Sequence, residues 1–280
     1  PSAHAVDREY KVITALNKTD VPVPNTFAYC DDADVIGTPF FLMEHVKGKI
    51  FWDLLLPESS AEERRKIYLS MNETIAKLHS VDFKAIGLED YGKYENYMAR
   101  QIHRWSKQYK DSETQHIPEI ENLIDWLPKN IPEDEEISIV HGDFRLDNMV
   151  FDEDSFEVKA ILDWELSTLG SPIADFTYHM MAWRLPVGAK GLGILGANLK
   201  DLNIPSEQEY SELYYIKTGR DKIENWDFFM AYNIFRLAGI AQGIAGRVRD
   251  GTAASSQAKS YGEFVPILGK LGWDIVKNIK

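Results

Sequence analysis

The stretch IVHGDFRLDNMVFDEDSFEVKAILDWE, residues 139–165, sets His141, Asp143, Arg145, Asp147 and Asn148 within eight residues between apolar runs, and puts Asp163 at the end of the next apolar run. A turn that only joins two strands uses Gly, Asn or Asp for backbone reasons. It has no need of a histidine, an arginine and several acids together. The pattern predicts a strand, a charged loop, a second strand, a hairpin and a third strand that delivers Asp163.

The rest of the chain divides around this motif. HAVDREYKVITALNK reads as a helix, with Val6, Tyr10, Ile13 and Leu16 at helical spacing. Pro22 and Pro24 end it. TFAYC and TPFFLMEHV read as strands joined by the polar turn DDADVIG. SAEERRKIYLSMNETIAKLHSVD opens with Ser60 and Glu63 at capping-box spacing. YENYMARQIHRWSKQYK and PEIENLIDWLPKN read as further helices, and beyond the motif helices are expected over 174–185, 206–217, 225–249 and 257–278. The expected domains are 1–47, a helix plus strands, and 48–280, a larger helical unit.

The net charge of −13 over 280 residues disfavours nonspecific nucleic-acid binding, which depends on Lys and Arg against phosphate. It leaves room for a small anionic ligand held by a few local cations. No apolar run reaches the roughly 18 residues of a membrane helix. Cys30 is the only cysteine, so neither a disulfide framework nor a thiolate metal cluster is expected, and a reducing, cytoplasmic setting is. GLGILG, 191–196, has the spelling of a nucleotide-binding glycine loop but follows RLPVGAK, which holds a proline and no strand pattern. It reads as a connector. His79, in IAKLHSVD, reads as a structural histidine at a helix end. Serine-hydrolase elbows and zinc-helix motifs are absent.

Phosphoryl transfer fits the motif. It needs one carboxylate beside the attacking hydroxyl and oxygen ligands for Mg²⁺, with little covalent work by the protein. Asp143 and Asn148 stand five residues apart, as in the kinase loop H-R-D-L-x-x-x-N, with Gly142 in place of its Arg. Asp163 begins DWE where a kinase has D-F-G.

HGDFRLDN, ILDWE and GSPIADF together resemble the aminoglycoside phosphotransferase and choline kinase superfamily. SAHAVDREY, VIGTPFFLMEHVKGKIFWDL, LDWELSTLGSP and GIAQG resemble its branch containing the kinase-like domain of acyl-CoA dehydrogenase family members ten and eleven. The resemblance spans nearly the whole chain. It implies an α+β, two-lobed protein-kinase-like fold and an ATP- and Mg²⁺-dependent enzyme. By position, Asp143 would be the catalytic base, Arg145 would face the transferring phosphate, and Asn148 and Asp163 would hold Mg²⁺. Met43 would flank the adenine, with the backbones of Glu44 and Val46 bonding it, and Glu9 would pair with an ATP-binding lysine. His141 and Asp175 would support the loop.

No lysine precedes Glu9, so the resemblance leads to the expectation of an incomplete N-terminal lobe, with the glycine-rich loop and lysine upstream. The acceptor implied is a small-molecule hydroxyl, on a hydroxy acid or hydroxyacyl-CoA, with a functional link to an acyl-CoA dehydrogenase. Two alternatives stay open: an antibiotic kinase of the aminoglycoside type and an inactive, kinase-like binding module. Arg236, Arg247 and Arg249 lie in a run of small residues, NIFRLAGIAQGIAGRVRDG, that reads as close helix packing or as a site for an anionic acceptor.

Overall fold

The computed structural model describes residues 6–133, 136–188, 191–252 and 259–279. The chain runs α1 (Val6–Leu16), β1 (Thr26–Cys30), α2 (Ala33–Ile36), β2 (Phe40–Met43), α3 (Ala61–His79), α4 (Tyr97–Ser112) and α5 (Pro118–Trp126). It continues with β3 (Ser138–Val140), β4 (Met149–Phe151), β5 (Val158–Ile161), β6 (Thr168–Gly170), α6 (Pro172–Met180), α7 (Leu199–Leu202), α8 (Glu207–Thr218), α9 (Trp226–Arg249) and α10 (Lys259–Asn278). The expected helix at 4–18 forms as Val6–Leu16, ending two residues early, and that at 257–278 forms as Lys259–Asn278. Their first residues, 4–5 and 257–258, lie outside the described residues.

Packing divides the chain into two units, residues up to 93 with 136–222, and 94–135 with 223–280. In the first unit three antiparallel pairs form, β1 with β2, β3 with β6, and β4 with β5. DDADVIG, expected as a plain turn, winds into α2. The Asp32 side chain accepts from the Asp34 N–H at 2.9 Å, and Gly37 at φ +92° takes the left-handed position that ends the helix. The residues that suit a turn suit two helix caps equally well. The capping box of α3 forms as read: the Ser60 N–H donates to Glu63 at 2.6 Å and the Glu63 N–H to Ser60 Oγ at 3.3 Å. From there α3 packs on α8, where Asn72 donates to the Tyr210 carbonyl at 2.8 Å. Phe176 stacks on Tyr214 with ring centres 3.8 Å apart. GLGILG is a connector: the Ile194 N–H donates to Ala182 and the Leu195 N–H to Leu185, with only the four-residue α7 after it.

The second unit is helical. The small residues of α9 let α4 approach closely: a Cβ on Gly246 would sit 2.8 Å from the Ser112 side chain, and one on Gly239 would sit 3.4 Å from the Trp105 ring. Arg236 is buried with its guanidinium carbon 5.4 Å from the centre of the Trp105 ring, whereas Arg247 and Arg249 are exposed near the end of α9. No helix among the described residues is long and apolar enough to cross a membrane.

Candidate active site

The charged loop lies in the first unit, between β3 and β4. Its entry is fixed by one carboxylate. Asp175, in the first turn of α6, accepts the His141 N–H at 2.8 Å through one oxygen and the Gly142 N–H at 2.9 Å through the other. His79 Nε2 lies 3.2 Å from the same carboxylate, and its Nδ1 lies 2.7 Å from the Tyr214 hydroxyl. Burial works against the Asp175 anion, but the His79 hydrogen bond, the nearby His79 and His141 rings and the His141 N–H outweigh it and hold the carboxyl below its ordinary range. At His79 burial dominates and lowers the pKa. The structural reading of His79 therefore gains a purpose: it anchors the residue that anchors the loop.

His141 is itself buried. Its Nε2 donates to the Leu162 carbonyl at 2.9 Å, so Nδ1 is the ring acceptor, taking the Asp143 N–H at 3.2 Å. Its ring packs against Trp164 with centres 4.8 Å apart. Trp164 is fully buried, which is what the tryptophan of DWE contributes: a bulky anchor for the segment carrying Asp163. Gly142 has φ +83°, and a Cβ there would stand 2.7 Å from the Leu166 carbonyl oxygen. The arginine of the H-R-D pattern has no room in this backbone. Gly142→Ala should therefore cost roughly 2–4 kcal/mol, from left-handed strain plus overpacking; urea denaturation measures it, and a loss below about 1 kcal/mol would contradict the argument.

Beyond the turn, the polar side chains of the loop converge. Asp143 Oδ1 accepts the Tyr178 hydroxyl at 2.7 Å, and Oδ2 accepts Asn148 Nδ2 at 3.1 Å. The same Asn148 nitrogen donates to the Asp143 carbonyl at 2.9 Å, so Oδ1 of Asn148 is the atom left for a ligand. Arg145 Nε stands 3.8 Å from Asp143 Oδ1 and donates to Asp147 Oδ1 at 3.0 Å, while Nη2 bonds Asp147 Oδ2. Asp147, given no role from sequence, braces the arginine with a two-point clasp.

Asp163 follows β5 in the left-handed region, φ +63°, a conformation costing of order 1–3 kcal/mol outside glycine. Its carboxylate is exposed and makes no hydrogen bond among the described residues. Leu162 links it to the loop: its N–H donates to the Asn148 carbonyl at 2.8 Å and its carbonyl accepts from His141.

The remaining sequence candidates, Met43, Glu44, Val46 and Glu9, lie on other segments of the first unit. Met43 is exposed at the end of β2. The Glu44 N–H donates to Asn25 at 2.8 Å, and its carboxylate takes Asn25 Nδ2 at 2.6 Å, so the Glu44 carbonyl is the backbone group left for a ligand. Val46 lies three residues before Lys49, which exchanges two 2.8 Å backbone hydrogen bonds with Phe151 of β4. Gly48 permits this approach, since a Cβ there would be 2.3 Å from the Phe151 oxygen. Glu9 is half-buried in the first turn of α1. In the second unit, Glu113, His116 and Glu121 also converge, within 4.8 Å, but the Lys110 ammonium already bonds both glutamates.

Two partners were invisible in the sequence, Tyr178 and His179. The His179 ring packs edge-on against Phe144, with centres 5.4 Å apart, its Nε2 bonds the Tyr210 hydroxyl at 2.8 Å, and burial lowers its pKa to about 4. The unfolded chain takes up this proton near pH 6.5, so between that pH and about 4 the unfolded state binds more protons. Stability should thus fall as pH falls through this window, by about 1.4 kcal/mol per pH unit and roughly 3 kcal/mol in all from His179. The lowered His79 adds to the same trend. Urea unfolding at pH 7 and 4.5, for wild type and His179→Gln, tests this; an equal pH dependence in both would contradict it.

The phosphotransferase enzyme family (APH) matches residues 1–212. Acyl-CoA dehydrogenase family member 10 of Mus musculus is 43% identical over 275 residues, 98% of this chain and 26% of that protein, so the chain spans about a quarter of this relative. A solved Ralstonia eutropha structure, provisionally named an aminoglycoside phosphotransferase, is 50% identical, has a TM-score of 0.95 and covers 99% of this chain and 84% of its own. The aminoglycoside phosphotransferase APH(3'')-Id of Streptomyces rimosus, solved with ADP and streptomycin, is 14% identical at a TM-score of 0.53, covering 84% of this chain and 82% of its own, and shares the fold. The fold is the α+β, protein-kinase-like one expected, and the chain belongs to the phosphotransferase enzyme family, whose enzymes pass a phosphoryl group to an alcohol acceptor.

Proposed function

We propose that this chain carries the catalytic machinery of a Mg²⁺·ATP-dependent kinase acting on a small-molecule hydroxyl. The observation that carries the reading is the Asp143 carboxylate, held by donors on both oxygens, beside Arg145 and on a loop clamped from below by Asp175. Asp143 orients the acceptor hydroxyl and takes its proton as the oxygen–phosphorus bond forms and the bond from the γ-phosphorus to the bridging oxygen breaks. Arg145, aligned by Asp147, faces the phosphoryl oxygens. His141 and Asp175 hold the loop.

The donor set suits Mg²⁺, a hard cation that binds oxygen and takes one or two carboxylates alongside substrate phosphates. Asn148 Oδ1 and the unpaired Asp163 carboxylate are such ligands; the ion, when bound, neutralises charge on the phosphates. For the nucleotide, Met43 flanks the base and the Glu44 and Val46 backbones bond it, with residues 1–47 serving the nucleotide and 48–280 supplying the loop and acceptor side. Glu9 belongs to the phosphate-lysine pairing. The ADP complex of the fold neighbour supports a purine nucleotide as donor. The name of the mouse relative supports an acyl substrate, a hydroxy acid or hydroxyacyl-CoA, and a link to acyl-CoA dehydrogenation.

Incubation with Mg·ATP and a pool of hydroxy acids, hydroxyacyl-CoAs and aminoglycosides, read by mass spectrometry, tests this. A phosphorylated hydroxyacyl product is expected. Phosphorylation of an aminoglycoside alone would replace the acyl reading, and ATP binding below detection would replace the kinase reading with that of a binding module.

A further inference from the structure

Asp175, Tyr178 and His179 lie within one and a half turns of α6 and grip four consecutive residues of the loop. Asp175 takes the backbone N–H groups of His141 and Gly142, Tyr178 donates to the Asp143 side chain, and the His179 ring packs edge-on against the Phe144 ring. Residues three and four apart on a helix share a face, so one rigid surface sets the whole loop. Two of these grips act on backbone or a buried ring. The third acts on the carboxylate that the proposed mechanism uses.

We infer that Tyr178 is a positioning residue that fixes the Asp143 carboxylate in rotation. The inference rests on the reading of Asp143 as the base. The terminal torsion of an aspartate is broad and roughly two-fold, so a carboxylate without partners presents its lone pairs over a wide arc. Here Tyr178 on Oδ1 and Asn148 on Oδ2 remove that freedom. Arg145, 3.8 Å from Oδ1, is too distant to replace the hydroxyl's hydrogen bond. Tyr178 is buried, so its hydroxyl approaches from the protein side, whereas the Asp143 side chain keeps 22% of its surface exposed and can meet an acceptor.

The test is Tyr178→Phe, which keeps the ring and its packing, compared with Asp143→Asn and the double variant. The assay is Mg·ATP turnover with water, or with an acceptor from the pool above. Expected for Tyr178→Phe are a kcat about tenfold lower and an unchanged KM for ATP. A residue that acts only through Asp143 adds nothing once Asp143 is gone, so the double variant should match Asp143→Asn. A wild-type kcat in Tyr178→Phe, or the same tenfold loss in both backgrounds, would overturn the inference while leaving the base assignment standing. A wild-type rate in Asp143→Asn would instead remove the base assignment and this inference with it.

Discussion

Asp143→Asn should lower phosphoryl turnover roughly 10²–10⁴-fold, the usual worth of a positioned general base. The expected loss is in kcat, with nucleotide affinity retained, because the proposed adenine contacts and metal ligands lie on other residues. The substitution also has a limited structural cost. An amide oxygen can still accept the Tyr178 hydroxyl, whereas the amide NH₂ then meets Asn148 Nδ2, a donor facing a donor. One lost hydrogen bond at a partly exposed site is worth about 1 kcal/mol. A folded variant, with an unfolding midpoint near wild type, should therefore be nearly inactive. Turnover within threefold of wild type would remove Asp143 from the proton-transfer step and shift the reading toward pure positioning by Arg145 and the metal ligands.

The chemistry-bearing loop was legible because its residues are adjacent: His141 through Asn148 occupy one short segment, and Asp163 follows one hairpin later. The helices were legible from their periodicity, and Ser60 with Glu63 from a spacing that has one physical purpose. What lay beyond reach was long-range pairing. Tyr178 stands 35 positions from Asp143, His79 96 from Asp175, and Tyr214 135 from His79. No local pattern encodes such partners. Asp147 was hidden for a different reason: two positions from Arg145 and one from Asn148, it fits a metal ligand, a cap or a brace equally well until the guanidinium geometry is known. The two-unit packing was also illegible, because residues 94–135 group with 223–280, far along the chain, and no composition shift marks the change.

Asp175→Ala should have the largest effect on stability, a loss of about 3–5 kcal/mol, the range for removing one partner from a buried charged network. The side chain is almost fully buried and serves two backbone N–H groups and a histidine at once. Alanine leaves these donors in a space too closed for ready hydration, and each buried donor without a partner costs about 1–3 kcal/mol. Asp175→Asn is the informative comparison. It preserves the volume and one acceptor, so it should lose less, yet its NH₂ must face either a backbone N–H or His79. The pH dependence has a definite sign. Because the folded carboxyl titrates below its ordinary value, its contribution is complete above the unfolded carboxylate range and disappears as pH falls through the folded value. The wild type should therefore keep this contribution at pH 5, and the difference between wild type and Asp175→Ala should narrow only in stronger acid. Urea denaturation of the three proteins at pH 7 and pH 5 measures it. An Asp175→Ala variant within about 1 kcal/mol of wild type would show that solvent or a rearranged loop satisfies the His141 and Gly142 N–H groups, and that the loop is held from the Asp143 side instead.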